Sequence, residues 1–129
     1  MQITTSAREL VANAERRITT LSPRDVEARL QRPGVLLVDI RDIRERKREG
    51  VISGALHAPR GMLEFWVDPD SPYHKSAFAD ADEIILHCNR GWRSALATAA
   101  LQDMGVDNIA HMDGGFDRWR DEIGRINES

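Results

Sequence analysis

Glu83-Ile84-Ile85-Leu86-His87-Cys88-Asn89-Arg90-Gly91-Trp92-Arg93-Ser94 is the stretch that decides the fold of this 129-residue chain. The apolar run before the cysteine reads as a strand covered on both faces. The alanine- and leucine-rich run from Ala95 to Met104 reads as a helix beginning near Arg93. The only cysteine of the chain therefore sits at a strand-to-helix turn, with Gly91 three positions on and Arg93 five. Thiolate is the reactive form of cysteine, and a helix N-terminus with nearby cations favours it. The first helical turn points unpaired N–H groups back at Cys88. Arg90 and Arg93 add positive charge, and Gly91 lets the loop curl so that successive amides converge. Ser94 is placed to donate a hydrogen bond to the sulfur or to cap the helix. A lone cysteine is commonly a small buried hydrophobe. The polar, cationic flank Asn89-Arg90-Gly91-Trp92-Arg93 is unlike a core position and favours the reactive reading.

Upstream, Val35-Leu36-Leu37-Val38 is a second continuous apolar run, and it ends at Asp39. Short strands are predicted at 18–21, 55–58 and 109–112. Helices alternate with them. Ser6 and Glu9 form a capping box ahead of a helix over 6–18, whose apolar stripe is Ala7, Leu10, Val11, Ala14 and Ile18. That stripe fits the main fold or a second subunit equally, and makes the helix a candidate homodimer face. Ser22 caps a helix that opens at Pro23. Ile40–Glu49 reads as loop and short helix, and 60–77 as a connection anchored by Phe65, Trp66 and Tyr73. Asp113-Gly114-Gly115 turns into a last helix with Phe116, Trp119 and Ile123 on one face. Residues 124–129 read as a frayed tail. The class is α/β with a mostly parallel five-stranded sheet, and ligands gather at the carboxyl ends of such strands, where Asp39 and Cys88 both lie.

The composition fits one domain. Hydrophobic residues make up 41%, enough for a core, and a net charge of −3 with both signs interspersed argues against nucleic-acid or membrane partners. No apolar run is long enough to span a bilayer. The polar N-terminus lacks a signal-peptide layout, and one cysteine makes no internal disulfide, so a cytoplasmic setting is expected. No Cys/His spacing suggests a metal, and no cofactor is expected.

Cys88-Asn-Arg-Gly-Trp-Arg93-Ser94 resembles the active-site loop of rhodanese-like sulfurtransferases, Cys-x-x-Gly-x-Arg-Ser/Thr. Asp39-Ile40-Arg41, then Glu45 and Gly50–Ala55, resembles the family's Asp-x-Arg…Gly-His-Ile-Pro-Gly-Ala motif, with Val51 and Ser53 standing where His and Pro are usual. Gly114-Gly115-Phe116…Trp119 resembles its closing motif. The match covers about residues 18–123, leaving 1–17 as a helical extension and 124–129 as a tail. The connection Pro59–Trp66, with Gly91-Trp92-Arg93-Ser94, looks most like the polysulfide-sulfurtransferase branch.

The resemblance implies a central sheet with helices on both faces. It also implies a covalent double displacement. Cys88 takes sulfane sulfur from thiosulfate or a polysulfide as a persulfide and passes it to cyanide or a thiol, while Asn89–Ser94 and above all Arg93 hold the sulfur's charge. Asp39 and Arg41 brace the loop, Glu45 pairs with a loop arginine, and Arg60 either collects an anionic donor or is simply solvated. Trp92 either covers the sheet or walls the pocket. His87 packs behind the loop, since adjacent strand residues face opposite ways. Lys47-Arg48 reads as a solvated face. Two other readings compete. One is a sulfur carrier or sensor without turnover. The other is a phosphatase or arsenate reductase of the Cdc25 type, whose loop is Cys-x5-Arg; the tighter Cys-x4-Arg ring here suits sulfur better.

Overall fold

The computed structural model describes all 129 residues. Five strands run in one sheet: β1 Thr19–Leu21, β2 Val35–Asp39, β3 Leu56–His57, β4 Glu83–His87 and β5 Ile109–Met112. The sheet order is β1-β5-β4-β2-β3, and every pairing is parallel. The two long apolar runs thus become the adjacent central strands β2 and β4, where both faces must be covered. Their register sets Asp39 beside His87.

Side chains alternate across β4 and fill two separate cores. Ile84, Leu86 and Cys88 join Val38, Leu63, Phe78, Ala97 and Leu101 on one face. Ile85 joins Leu37, Val26, Met112, Phe116 and Trp119 on the other. The first face is covered by α4 Leu63–Val67, α5 Ser76–Asp80 and α6 Trp92–Asp103. The second is covered by α2 Pro23–Arg29 and α7 Gly115–Glu122. A short helix α3, Ile43–Glu49, follows β2. It opens with a capping box in which Asp42 and Glu45 satisfy each other's backbone amides, and it buries no residue.

Both ends of the chain are tied to the domain, which settles an open placement at the N-terminus and corrects the frayed-tail expectation at the C-terminus. The N-terminal helix, α1 Ala7–Glu15, takes the first of the two placements its stripe allowed and packs on the main fold. Val11 and Ala14 pack with Ala95 and Ala99 of α6, with Ile18 and Leu96 beside them. The alanines let the two helices approach closely, and Arg17 pairs with Asp103 at 2.9 Å to close one end. Residues 124–129 are tied down as well. Val51 and Asn127 exchange two backbone hydrogen bonds of 2.8 Å. The Trp119 indole N–H donates to the Arg125 carbonyl, and Arg125 pairs with Glu27. No helix is long and apolar enough to cross a membrane.

Candidate active site at the Cys88 turn

α6 begins at Trp92, one residue before the position expected from sequence, and Gly91 is its N-cap with φ 106°. That left-handed conformation is open to glycine at little cost. It turns the Gly91 amide inward, so that its N–H donates to Cys88 Sγ at 3.1 Å. The Ser94 amide, from the first turn of α6, donates to the same sulfur at 3.4 Å. Two backbone donors and a helix N-terminus therefore converge on one atom, an arrangement that favours negative charge there. Cys88 is only 1% exposed, yet it lines an open cavity of about 800 Å³ together with Glu45, Arg48, Glu49, Asn89, Arg90, Trp92 and Arg93. Trp92 is 46% exposed, so it walls this cavity and does not cover the sheet. Its ring also lies 5.4 Å under the Arg8 guanidinium.

Ser94 is not the helix cap. Its buried hydroxyl lies 3.5 Å from Cys88 Sγ and 2.9 Å from His111 Nδ1. His111 in turn reaches Thr20 Oγ1 through Nε2 at 3.2 Å. Burial pushes the His111 imidazole down to about 4, with Asp113 opposing the shift, so it is neutral near pH 7.

The two loop arginines are both engaged. Arg93 makes a bidentate pair with Glu45, at 2.7 and 2.9 Å. The Arg93 bond holds the Glu45 carboxyl below its ordinary range. Arg90 pairs with Asp117 at 3.2 Å. Arg48, expected to be merely solvated, lines the cavity and has no ion-pair partner. Arg60 is not brought to the cavity: it pairs with Glu64 at 2.7 Å, one helical turn on.

Behind the turn, Asp39 and Arg41 are fully buried against each other, with Arg41 Nη2 2.9 Å from Asp39 Oδ2. Arg41 also donates to Asn89 Oδ1 at 3.3 Å and to the Gly50 carbonyl at 2.8 Å, and it stacks 4.2 Å from the Phe116 ring centroid. Burial works against ionisation of Asp39, but the hydrogen bonds from Arg41 and the neighbouring His87 outweigh it and hold the carboxyl below its ordinary range. His87 is packed behind the loop, on the face opposite Cys88. Burial lowers its basicity, and its ring lies 3.1 Å from the Cys88 carbonyl.

Sequence reading gave no role to His111, Glu49 or Asp117. His111 faces Ser94, 17 residues away in sequence, only because β5 lies beside β4. The one local signal was Gly114-Gly115. At Gly115 (φ 59°) a Cβ would come within 2.6 Å of the Cys88 carbonyl oxygen and the Asn89 carbonyl carbon. That close approach lets the Phe116 and Asp117 amides donate to the Cys88 and Asn89 carbonyls at 2.8 and 3.0 Å.

Residues 22–122 match the rhodanese-like domain family. The thiosulfate sulfurtransferase GlpE of Stutzerimonas stutzeri is 33% identical over 92 residues, covering 70% of this chain and 75% of that protein. A tRNA uridine(34) hydroxylase of Agrobacterium fabrum is 28% identical over 106 residues. The match takes in 81% of this chain but 32% of that protein, so the chain spans about a third of that relative's length. The polysulfide-sulfur transferase homodimer of Wolinella succinogenes is similar in structure, with a TM-score of 0.70 and 28% identity over 92% of this chain and 85% of that one. A protein of unknown function from Rhodopseudomonas palustris, named as a possible tyrosine phosphatase, has a TM-score of 0.93 and 43% identity over 98% of both chains. The matched span holds strands β2 to β5, the Cys88 turn and the Gly114-Gly115 turn that abuts it, and this chain belongs to the rhodanese-like domain family.

Proposed function

We propose that the protein is a sulfurtransferase that carries sulfane sulfur on Cys88. The observation that carries this reading is the convergence of the Gly91 and Ser94 amides on Cys88 Sγ. Backbone donors of this kind stabilise an anion in the ground state and along the reaction path. The thiolate attacks the outer sulfur of the donor. A bond forms between Sγ and that sulfur, the donor's own bond to it breaks, and its electron pair leaves on sulfite or on the shortened polysulfide. The product is Cys88–S–S⁻. A second nucleophile, cyanide or a thiolate, then attacks the outer sulfur and returns Cys88 as thiolate. Arg93, held in place by Glu45, supplies positive charge at the cavity side of the sulfur. Arg41 and Asp39 fix the loop from behind through Asn89.

A phosphatase reading fits less well. Four residues separate Cys88 from Arg93, and both Arg93 terminal nitrogens are taken by Glu45, which leaves the loop arginine no free fork for a phosphate dianion. Steady-state assays separate the readings. Thiocyanate forms from cyanide and thiosulfate, methanethiosulfonate or polysulfide, and the activity vanishes in Cys88→Ser; aryl phosphates are not hydrolysed. Efficient phosphate release without thiocyanate would reverse the assignment.

A further inference from the structure

The cavity in front of Cys88 carries charge of both signs: it has one more arginine than carboxylate, and Arg48 is its one arginine without an ion-pair partner. Its lining holds Arg48, Arg90 and Arg93, but also Glu45 and Glu49. Arg93 is occupied by Glu45 on both nitrogens and Arg90 by Asp117. Glu45 is not free to swing away. Its Oε1 also accepts the Asp42 amide at 3.0 Å as half of the α3 capping box, and its side chain is only 18% exposed. A dianion that reaches for Arg93 must therefore sit against a fixed carboxylate, while the other lining carboxylate, Glu49, lies 3.7 Å from the buried Arg41 guanidinium. A like charge held at the mouth of a site discriminates by repulsion. The exposed indole of Trp92, which also lines the cavity, offers an apolar surface.

We infer that Glu45 sets the charge of the donor, so that the site takes monoanionic sulfane donors bearing an organic group, such as thiosulfonates, in preference to the dianion thiosulfate. The inference rests on the sulfurtransferase reading for its chemistry. With a thiosulfonate, R–SO2–S⁻, the Cys88 thiolate bonds to the outer sulfur, the donor's S–S bond breaks, and the electron pair leaves on the sulfinate R–SO2⁻. Two negative charges enter and two leave, with no oxidant or reductant needed.

Glu45→Gln keeps an acceptor for the Asp42 amide while removing the charge. The measurement is kcat/KM for methanethiosulfonate and for thiosulfate, with cyanide as acceptor, in the wild type and in this variant. The wild type favours methanethiosulfonate, and in the variant the thiosulfate-to-methanethiosulfonate ratio rises about fivefold, mainly through the thiosulfate KM, as expected for one partly exposed charge. An unchanged ratio overturns the inference. A second arm needs no chemistry: thiosulfate binding by calorimetry to Cys88→Ser and to Cys88→Ser/Glu45→Gln. The double variant binds about fivefold more tightly; equal binding overturns the role of Glu45. Absence of persulfide with every donor would instead overturn the sulfurtransferase reading and leave this binding arm as the judge of Glu45.

Discussion

Two arginine–carboxylate pairs flank the Cys88 turn, and burial makes them opposites. Asp39–Arg41 lies behind the loop with both side chains at 0% exposure. Glu45–Arg93 lies at the cavity, with Arg93 43% and Glu45 18% exposed. Their hydrogen-bond distances are nearly the same, so geometry does not separate them. Water does. Removing one partner of the buried pair strands a charge in low dielectric, whereas the rim pair can exchange protein contacts for solvent. The buried pair is therefore part of the fold, whereas the fold tolerates losing one charge of the rim pair. A carboxylate at the rim can set which donors enter without holding the domain together.

The widest separation between the two comes from single truncations. Arg41→Ala leaves Asp39 buried without its main partner and also removes the ties to Asn89, Gly50 and Phe116. Urea unfolding should show a loss of about 3–5 kcal/mol. A loss below about 1 kcal/mol would erase the distinction between the pairs.

Acid sharpens the buried side next. Folded His111 stays neutral down to about 4, against an ordinary value of 6.5. Between those values the unfolded chain binds more protons than the folded one, so stability falls as pH drops through that window. The full span amounts to about 3 kcal/mol. His87, also lowered by burial, acts in the same direction. Asp39, held below its ordinary range, contributes stability above its unfolded value of 3.8, and that part is lost only as pH falls through its lower folded value. Urea midpoints measured from pH 7 to pH 4 should fall steeply, and the fall should flatten in His111→Gln. An unaltered slope in that variant would rule His111 out as a source.

Gly115→Ala tests the close approach between the two turns. The new Cβ meets backbone that cannot move aside easily, at a φ of 59°. Thermal unfolding should report about 1–3 kcal/mol of destabilisation, with slower alkylation of Cys88 as its cradle is displaced. Normal stability and normal alkylation would mean that the two turns are not coupled.

The smallest effect belongs to the rim. Glu45→Gln should change unfolding free energy by less than about 1 kcal/mol while shifting donor preference. A larger loss would place Glu45 with the buried pair.

The fold was legible where local pattern and tertiary placement agree. The unbroken runs Val35–Val38 and Ile84–Leu86 read as strands covered on both faces, and they are the adjacent central strands of the parallel sheet. Gly91 three residues after Cys88 announced the curled turn, and its φ of 106° is the reason a glycine stands there. Pairings between distant segments were not legible. The stripe on α1 says that a face is buried but not that Ala95 and Ala99 receive it. The tail is held by a backbone bridge from Asn127 to Val51, which leaves no trace in side-chain pattern. His111 meets Ser94 only through sheet order. At Arg60 the sequence left a choice between collecting a donor and lying in solvent, and Glu64 one turn along takes it.

The central claim is that the Cys88 cradle holds anionic sulfur, and intact mass spectrometry tests it most directly. The protein is incubated with thiosulfate, methanethiosulfonate or polysulfide, desalted, and weighed. One added sulfur, about 32 Da, should be present in the wild type, removable by cyanide and absent in Cys88→Ser. No gain with any of the three donors, or a gain that survives in Cys88→Ser, would contradict it.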